Sequence, residues 1–220
     1  ELGIDTIVTD HHPVDRAPES AVAVINPSSP EGQADLAHLA GVGVAFYLVV
    51  ALRAHLREKG FWKTRPEPNL KQLCDLVALG TVADVSPLIL DNRTLTAAGL
   101  EQINAGLRPG IRALMRTSGA PRASADAETI SFKLAPRINA AGRVAHARIA
   151  CELLLTDDRR KANRLAAALG RLNSRRQAME SDLLQSILKH FKRRPTLLDR
   201  PVLVVHGDGW HEGVLGIVAS

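Results

Sequence analysis

Cysteine is nearly absent, with Cys74 and Cys151 the only two in 220 residues. Two thiols make no disulfide scaffold and cannot alone complete a structural zinc site. Aromatic residues are 3% of the chain, which argues against extensive stacking of nucleobases on Phe, Tyr or Trp. Long apolar runs are missing too: the longest, Val42 to Leu52, falls well short of the roughly 20 residues a membrane span needs. The first residues do not read as a basic, apolar, then small-residue leader, so a reducing cytoplasm and no membrane contact are the expectation. What is present is ordinary globular composition, 45% hydrophobic and 23% charged, enough for one large domain or one domain and part of another.

The charge is unevenly placed. Between Asp157 and Arg200 twelve basic residues face five acidic ones, a local +7, so the rest of the chain carries −2 of the total +5. Such concentration points to a polyanion partner, with a solvated helix face as the plain alternative. With so few aromatics, contact with nucleic acid would lean on phosphate.

Hydrophobic patterning alternates short strands with helices, the signature of a parallel α/β sheet. Ile4 to Thr9 reads as a buried strand ending at Asp10-His11-His12-Pro13, and Ala21 to Ile25 as a second strand stopped by Asn26-Pro27. Helices are expected over Leu39 to Arg57, from Asn69 to Leu79, over Asp91 to Gly106 and Arg108 to Arg116, and over Ala145 to Leu155. The clearest element runs from Asp157 to about Lys192. Ala162, Leu165, Leu169, Leu172, Met179, Leu183 and Ile187 recur at helical spacing, with acids at the start and bases at the end to suit the helix dipole. About 35 residues at 1.5 Å each is on the order of 50 Å, the length of a bridge between two bodies. Val202 to Val205 then reads as a new strand. The chain also reads as cut at both ends, beginning in a strand at Leu2 without Met and stopping at Ser220 inside an apolar Gly-rich stretch.

Four segments carry chemistry. Asp10-His11-His12 stands at the carboxyl end of a strand, where parallel α/β sheets place ligands, and can supply a metal ligand, a carboxylate that fixes an imidazole and a phosphate donor. A surface turn would also explain it. Asp84, in the otherwise apolar Gly80-Thr81-Val82-Ala83-Asp84-Val85-Ser86-Pro87-Leu88, is a second ligand candidate, with a helix-end Asp as the alternative. Asp75, Asp91 and Asp126 lack a comparable setting. Arg137-Ile138-Asn139-Ala140-Ala141-Gly142-Arg143 reads either as forked phosphate donors among small residues or as a basic turn. Gly209 to Ala219, with Trp210 and His211, opens a helix at which an anion could sit, but its spacing matches no nucleotide loop. Cys74 and Cys151 read as core residues. His38, His55, His146, His190 and His206 show no partner through spacing.

Taken in order, Thr9-Asp10-His11-His12, Gly80 to Leu88 with Asn92-Arg93, Pro136 to Arg143, and Gly209 to Ser220 resemble the DHH phosphoesterase superfamily from end to end. Within it the resemblance is to exonucleases specific for single-stranded DNA. It implies a parallel-sheet α/β DHH domain over 1–156, a long connecting helix over 157–194, and the start of a smaller second α/β domain over 195–220, with the active site in the cleft between domains. It implies an enzyme dependent on Mn²⁺ or Mg²⁺, two ions in the complete site, that removes nucleotides from the 5′ end of single strands in recombination and repair. A single-strand-binding protein and a helicase are the implied partners. By family position His11 and Asp84 would be metal ligands. Asp10 would orient a histidine and His12 would contact the scissile phosphate. Arg137, Asn139, Arg143, Trp210 and His211 would line the substrate path, and Arg164, Arg171, Arg175 and Arg176 could track the DNA backbone. The family's upstream Asp-x-Asp segment would precede Glu1, so the chain by itself is expected to be inactive. The alternatives are a DHH enzyme cleaving short oligonucleotides or cyclic dinucleotides, a nucleic-acid-binding module with a decayed metal site, and a pyrophosphatase-like relative.

Overall fold

The computed structural model describes residues 3–16, 18–120 and 124–220. They form a mostly helical protein with a small parallel sheet, in two compact units: Glu1–Leu107 with Ala120–Ala135, and Arg108–Gly119 with Pro136–Ser220. These units divide the chain elsewhere than at 156 and 194.

In the first unit, β1 (Ile7–Thr9) and β2 (Ala23–Ile25) pair in parallel, Ile7 opposite Ala23 and Thr9 opposite Ile25. The expected buried strand is a correction. Ile4 and Ile7 are 72% and 59% exposed, and Leu2 lies outside the described residues. A β-branched run specifies extended backbone, but burial needs cover on the faces. Helix α1 (Gly41–Glu58) follows. Asn69 caps a 3₁₀ turn by accepting from the Lys71 N–H (3.1 Å), and α2 (Cys74–Ala83) continues from it.

Helix α2 is apolar on nearly every side and is buried accordingly, with Val77, Ala78, Leu79 and Val82 in the core. Helix α3 (Leu90–Ala105) packs against it at Gly99, where an added Cβ would fall 2.1 Å from the Cys74 carbonyl oxygen. Only glycine allows that approach. Further on, the short α5 (Ala127–Thr129) is capped by Asp126 and leads into a π-helical turn over Ile130–Leu134. There the Ala135 N–H reaches the Ile130 carbonyl, and the next residue, Pro136, has no N–H to offer the normal ladder.

The second unit draws α4 (Pro109–Thr117) from mid-chain and packs it with α7 (Arg148–Leu155) and the 35-residue α8 (Arg159–Arg193). Gly110 meets the Leu153 carbonyl so closely that a Cβ would lie 1.9 Å from its oxygen. Asp158 caps α8, accepting from the Arg160 and Lys161 N–H groups. Ala162, Ala166, Leu169 and Asn173 form its buried face in the first half, and Leu183 is buried further along. Helix α6 (Ala135–Val144) carries the segment that could have been a basic turn. Helix α9 (Glu212–Ala219) packs on α8.

Two further expectations are overturned here. Val202 to Val205 makes no strand: no neighbour pairs with it among the described residues, and Val202 and Val204 are exposed. Cys151 is exposed on α7, while Cys74 is buried. The apolar neighbours of Cys151 in sequence, Ala150 and Leu153, take the inward positions of that helix.

Candidate functional site

The end of β1 is built from the backbone outward. The Asp10 N–H extends the ladder to the Ile25 carbonyl (3.1 Å), and the Asp10 carboxylate folds over the next two residues. Its Oδ1 accepts from the His11 N–H (2.8 Å), the His12 N–H (3.3 Å) and His12 Nδ1 (2.8 Å). The hydrogen bond from the His12 ring, then those from the two amides, hold the Asp10 carboxyl below the usual carboxylate range. With Nδ1 donating, His12 presents Nε2 to solvent from an exposed ring. Asn26, buried at the end of β2, anchors the turn from the other side by donating to the His12 carbonyl (2.8 Å). The ligand-capable atoms of Asp10, His11 and His12 lie within 4.8 Å of one another.

Asp84 is brought to this turn by the end of α2. That helix closes with the Val85 N–H on the Val82 carbonyl and the Ser86 N–H on the Thr81 carbonyl, a turn that demands a left-handed residue between them. Glycine is usual there, yet the residue is Val85, at φ 59° and 85% exposed. A β-branched side chain in that conformation costs on the order of 1–2 kcal/mol. Ser86 Oγ donates to Asp84 Oδ2 (2.7 Å). The carboxylate sits at the negative end of the α2 dipole, which favours a cation beside it.

His11 Nδ1 stands 3.8 Å from Asp84 Oδ2, too far for a hydrogen bond and close enough for one divalent ion to be shared. The carboxylate oxygen suits Mg²⁺ or Mn²⁺, and the imidazole beside it suits a first-row transition ion. The N-terminus of α1 backs the His11 ring at Gly41, where a Cβ would be 3.2 Å from Cδ2.

Of the remaining expected site residues, Arg137 is half-buried, and burial weighs against its charge, while Asn139 and Arg143 are exposed on α6. Arg143 donates to the Gly213 carbonyl (3.2 Å), and Gly213 touches the Arg143 backbone so closely that a Cβ would fall 2.1 Å from its oxygen. The segments around 137–143 and 209–219 are therefore in contact. His211 caps α9, its Nδ1 accepting from the Gly213 N–H (3.0 Å), and Trp210 lies against Gly207. On α8, Arg164, Arg171 and Arg175 are exposed and make no ion pair among the described residues. Arg176 differs: its guanidinium is held by Glu180 and Asn173 and turned toward the packed face.

Sequence spacing missed a cluster beside the site. Asp91 accepts from the Tyr47 hydroxyl (2.5 Å) and lies 3.4 Å from the nearly buried His38 Nε2. Burial, then Asp91, push the Tyr47 hydroxyl up to about 12. The fully buried Asn92 donates to the carbonyls of His38 (2.6 Å) and Pro87 (3.0 Å), tying the segment after Asp84 to the loop before α1. Asn92 already stood with Arg93 in the motif that follows Asp84, but spacing gave no signal for His38 or Tyr47.

Residues 1–81 match the family model described as "DHH family, N-terminal domain". The chain is 45% identical over 224 residues to the single-stranded-DNA-specific exonuclease RecJ of Dickeya dadantii, covering 99% of this chain and 39% of that protein. Identity is also 45% over 227 residues to the protein of that name from Escherichia coli K12, again with 39% of the relative covered. The chain thus spans about two fifths of the length of these curated relatives. Among solved structures, a crystal structure of exonuclease RecJ bound to manganese superposes with a TM-score of 0.80 at 38% identity, over 99% of this chain and 51% of that one.

Proposed function

We propose, on the premise that residues 1–81 of this chain form a DHH-family N-terminal domain, that the chain is the catalytic portion of a metal-dependent phosphodiesterase. Its substrate is single-stranded DNA, degraded from the 5′ end in recombination and repair, a reading supported by relatives named single-stranded-DNA-specific exonuclease. The observation that carries the reading is the 3.8 Å spacing of His11 Nδ1 and Asp84 Oδ2 beside a carboxylate-fixed His12.

His11 and Asp84 would hold Mn²⁺ or Mg²⁺, with a second ion in the complete site. When bound, these ions supply a water of lowered pKa and Lewis acidity toward the phosphate. Asp10 holds the His12 ring in one orientation by accepting from Nδ1, so that Nε2 faces solvent, where as an imidazolium N–H it would donate to a phosphate oxygen. The Ser86 hydroxyl holds the Asp84 carboxylate in place by donating to its Oδ2. Arg137, Asn139 and Arg143 are assigned to substrate phosphate and sugar, and Trp210 and His211 to the substrate path. The division into a DHH domain (1–156), a connecting helix (157–194) and the start of a second domain (195–220) belongs to the same proposal. A single-strand-binding protein and a helicase would present the strand, in the cytoplasm.

The test is Mn²⁺-dependent digestion of end-labelled single-stranded and duplex DNA by the full-length gene product. Mononucleotides released from the 5′ end of single strands only, and lost in His11→Ala, support the reading. Turnover of dinucleotides without cleavage of long strands would replace it with an oligonucleotide phosphodiesterase.

A further inference from the structure

Six side chains on α8 fall on one line. Arg164, Arg171, Arg175, Asp182, Lys189 and Arg193 recur at intervals of seven or four residues, and all six are exposed. At 100° per residue they stay within about 20° of a common stripe, opposite the buried Ala162, Ala166, Leu169 and Asn173. From Arg164 to Arg193 the stripe is about 43 Å long. None of its five cations makes an ion pair among the described residues, whereas Arg176, off the stripe, is fully engaged. A dipole explanation covers only the last turn of the helix, so cations in its first half need another one.

The single acid on this line stands beside a pocket with an aromatic wall. A cavity of about 300 Å³ opens between α8 and the start of α9, lined by Met179, Asp182, Ser186, Trp210 and His211. Gly207 fits against the Trp210 indole, where any Cβ would come within 2.4 Å of the ring. His211 Nδ1 accepts from the Gly213 N–H, which leaves Nε2–H as a donor. The pocket therefore offers an aromatic face, a hydroxyl, a carboxylate acceptor and an imidazole donor, the complement of a nucleobase edge.

We propose that the exposed stripe of α8 is a track for a single polynucleotide strand, with phosphates on Arg164, Arg171, Arg175, Lys189 and Arg193 and one base turned into the pocket at Asp182 and Trp210. It rests on the nucleic-acid reading above and extends it to Lys189, Arg193, Asp182 and Ser186. Asp182 decides the arrangement. An acid repels a backbone running straight over it, so at that point the strand meets the helix through a base instead.

Equilibrium binding of a fluorescent 20-nucleotide single strand to the 220-residue chain, followed by anisotropy across salt concentrations, tests this. Each phosphate contact on a single strand contributes about 0.7 to the slope of log affinity against log salt. Lys189→Ala with Arg193→Ala should lower the slope by about 1.4. Trp210→Ala should weaken binding about tenfold with the slope unchanged, and Trp210→Tyr should restore most of it. Asp182→Ala should weaken binding severalfold. Stronger binding by Asp182→Ala, or an unchanged slope in the double variant while the parent chain binds, overturns the track and leaves the nuclease reading standing. No binding by the parent chain at low salt also overturns the track, while the nuclease reading stands or falls on digestion by the full-length gene product.

Discussion

The strand-end site and the outer face of α8 solve opposite problems. At Asp10-His11-His12 donors converge on a point: three hydrogen bonds fix one carboxylate, Asn26 pins the turn, and all ligand-capable atoms lie within 4.8 Å. On α8 the charges are spread along a line, unpaired and open to water. A point of fixed oxygen and nitrogen donors suits a divalent metal ion, because reorganisation is avoided when the ion arrives. A line of mobile cations suits a polymer, because each contact adds a similar, salt-sensitive increment. Removing one group from the point should disable it, and removing one from the line should only thin it.

The largest expected effect is at the point. Asp10→Asn keeps the shape of the side chain but weakens its hold on the His12 ring, and the rate of Mn²⁺-dependent digestion of single strands by the full-length gene product should fall about 10- to 100-fold. An unchanged rate would mean that the turn, and not the carboxylate, orders the His12 imidazole.

Beneath the line, Gly110→Ala drives a methyl into the Leu153 carbonyl of the unit that carries α8. Denaturant unfolding should show a loss of about 1–3 kcal/mol. A neutral result would show that α4 can shift without disturbing the helix above it.

Val85→Gly should act in the other direction, gaining about 1 kcal/mol by relieving a left-handed β-branched residue beside Asp84. If stability rises while Mn²⁺ affinity drops, the strained turn is what aims the carboxylate. If both rise, the valine has another purpose.

The smallest effect is a change with pH confined to the unit holding the point. Tyr47 ionises near 10 when unfolded and is pushed up to about 12 in the fold, by burial and then by Asp91. Its contribution is complete below pH 10 and is lost as pH rises through 12. Tyr47→Phe should therefore flatten the fall in stability between those values in a pH series of chemical unfolding.

Much of this was legible in local sequence. Asp158 as a cap, the helical spacing from Ala162 to Leu183, Asn69 before α2 and the breaks at Pro109 and Gly106 are nearest-neighbour chemistry, and the observed elements follow them. The likeness to DHH relatives was legible in four motifs. Burial of the strand was misjudged because alternation reports a pleat and not what lies over it. Cys151 was misjudged because an apolar helix exposes some of its apolar residues. The His38, Tyr47 and Asp91 cluster was invisible because its members belong to different elements, with no spacing in common.

The sequence by itself determined what each segment is: short strands, capped helices, a basic stripe, an acid and two imidazoles at a strand end. Those outcomes rest on φ/ψ preferences and on hydrogen bonds between neighbours, which travel with the residues. Tertiary structure decided which distant groups meet. Asp84 reaches His11 only because α2 is buried on nearly every side and ends in a left-handed turn. Arg143 reaches Gly213 only because a glycine lets two backbones touch. Arg176 turns inward while Arg175 turns out because Asn173 and Glu180 stand on the packed side of the helix. These are consequences of volume and packing, which local preference does not contain.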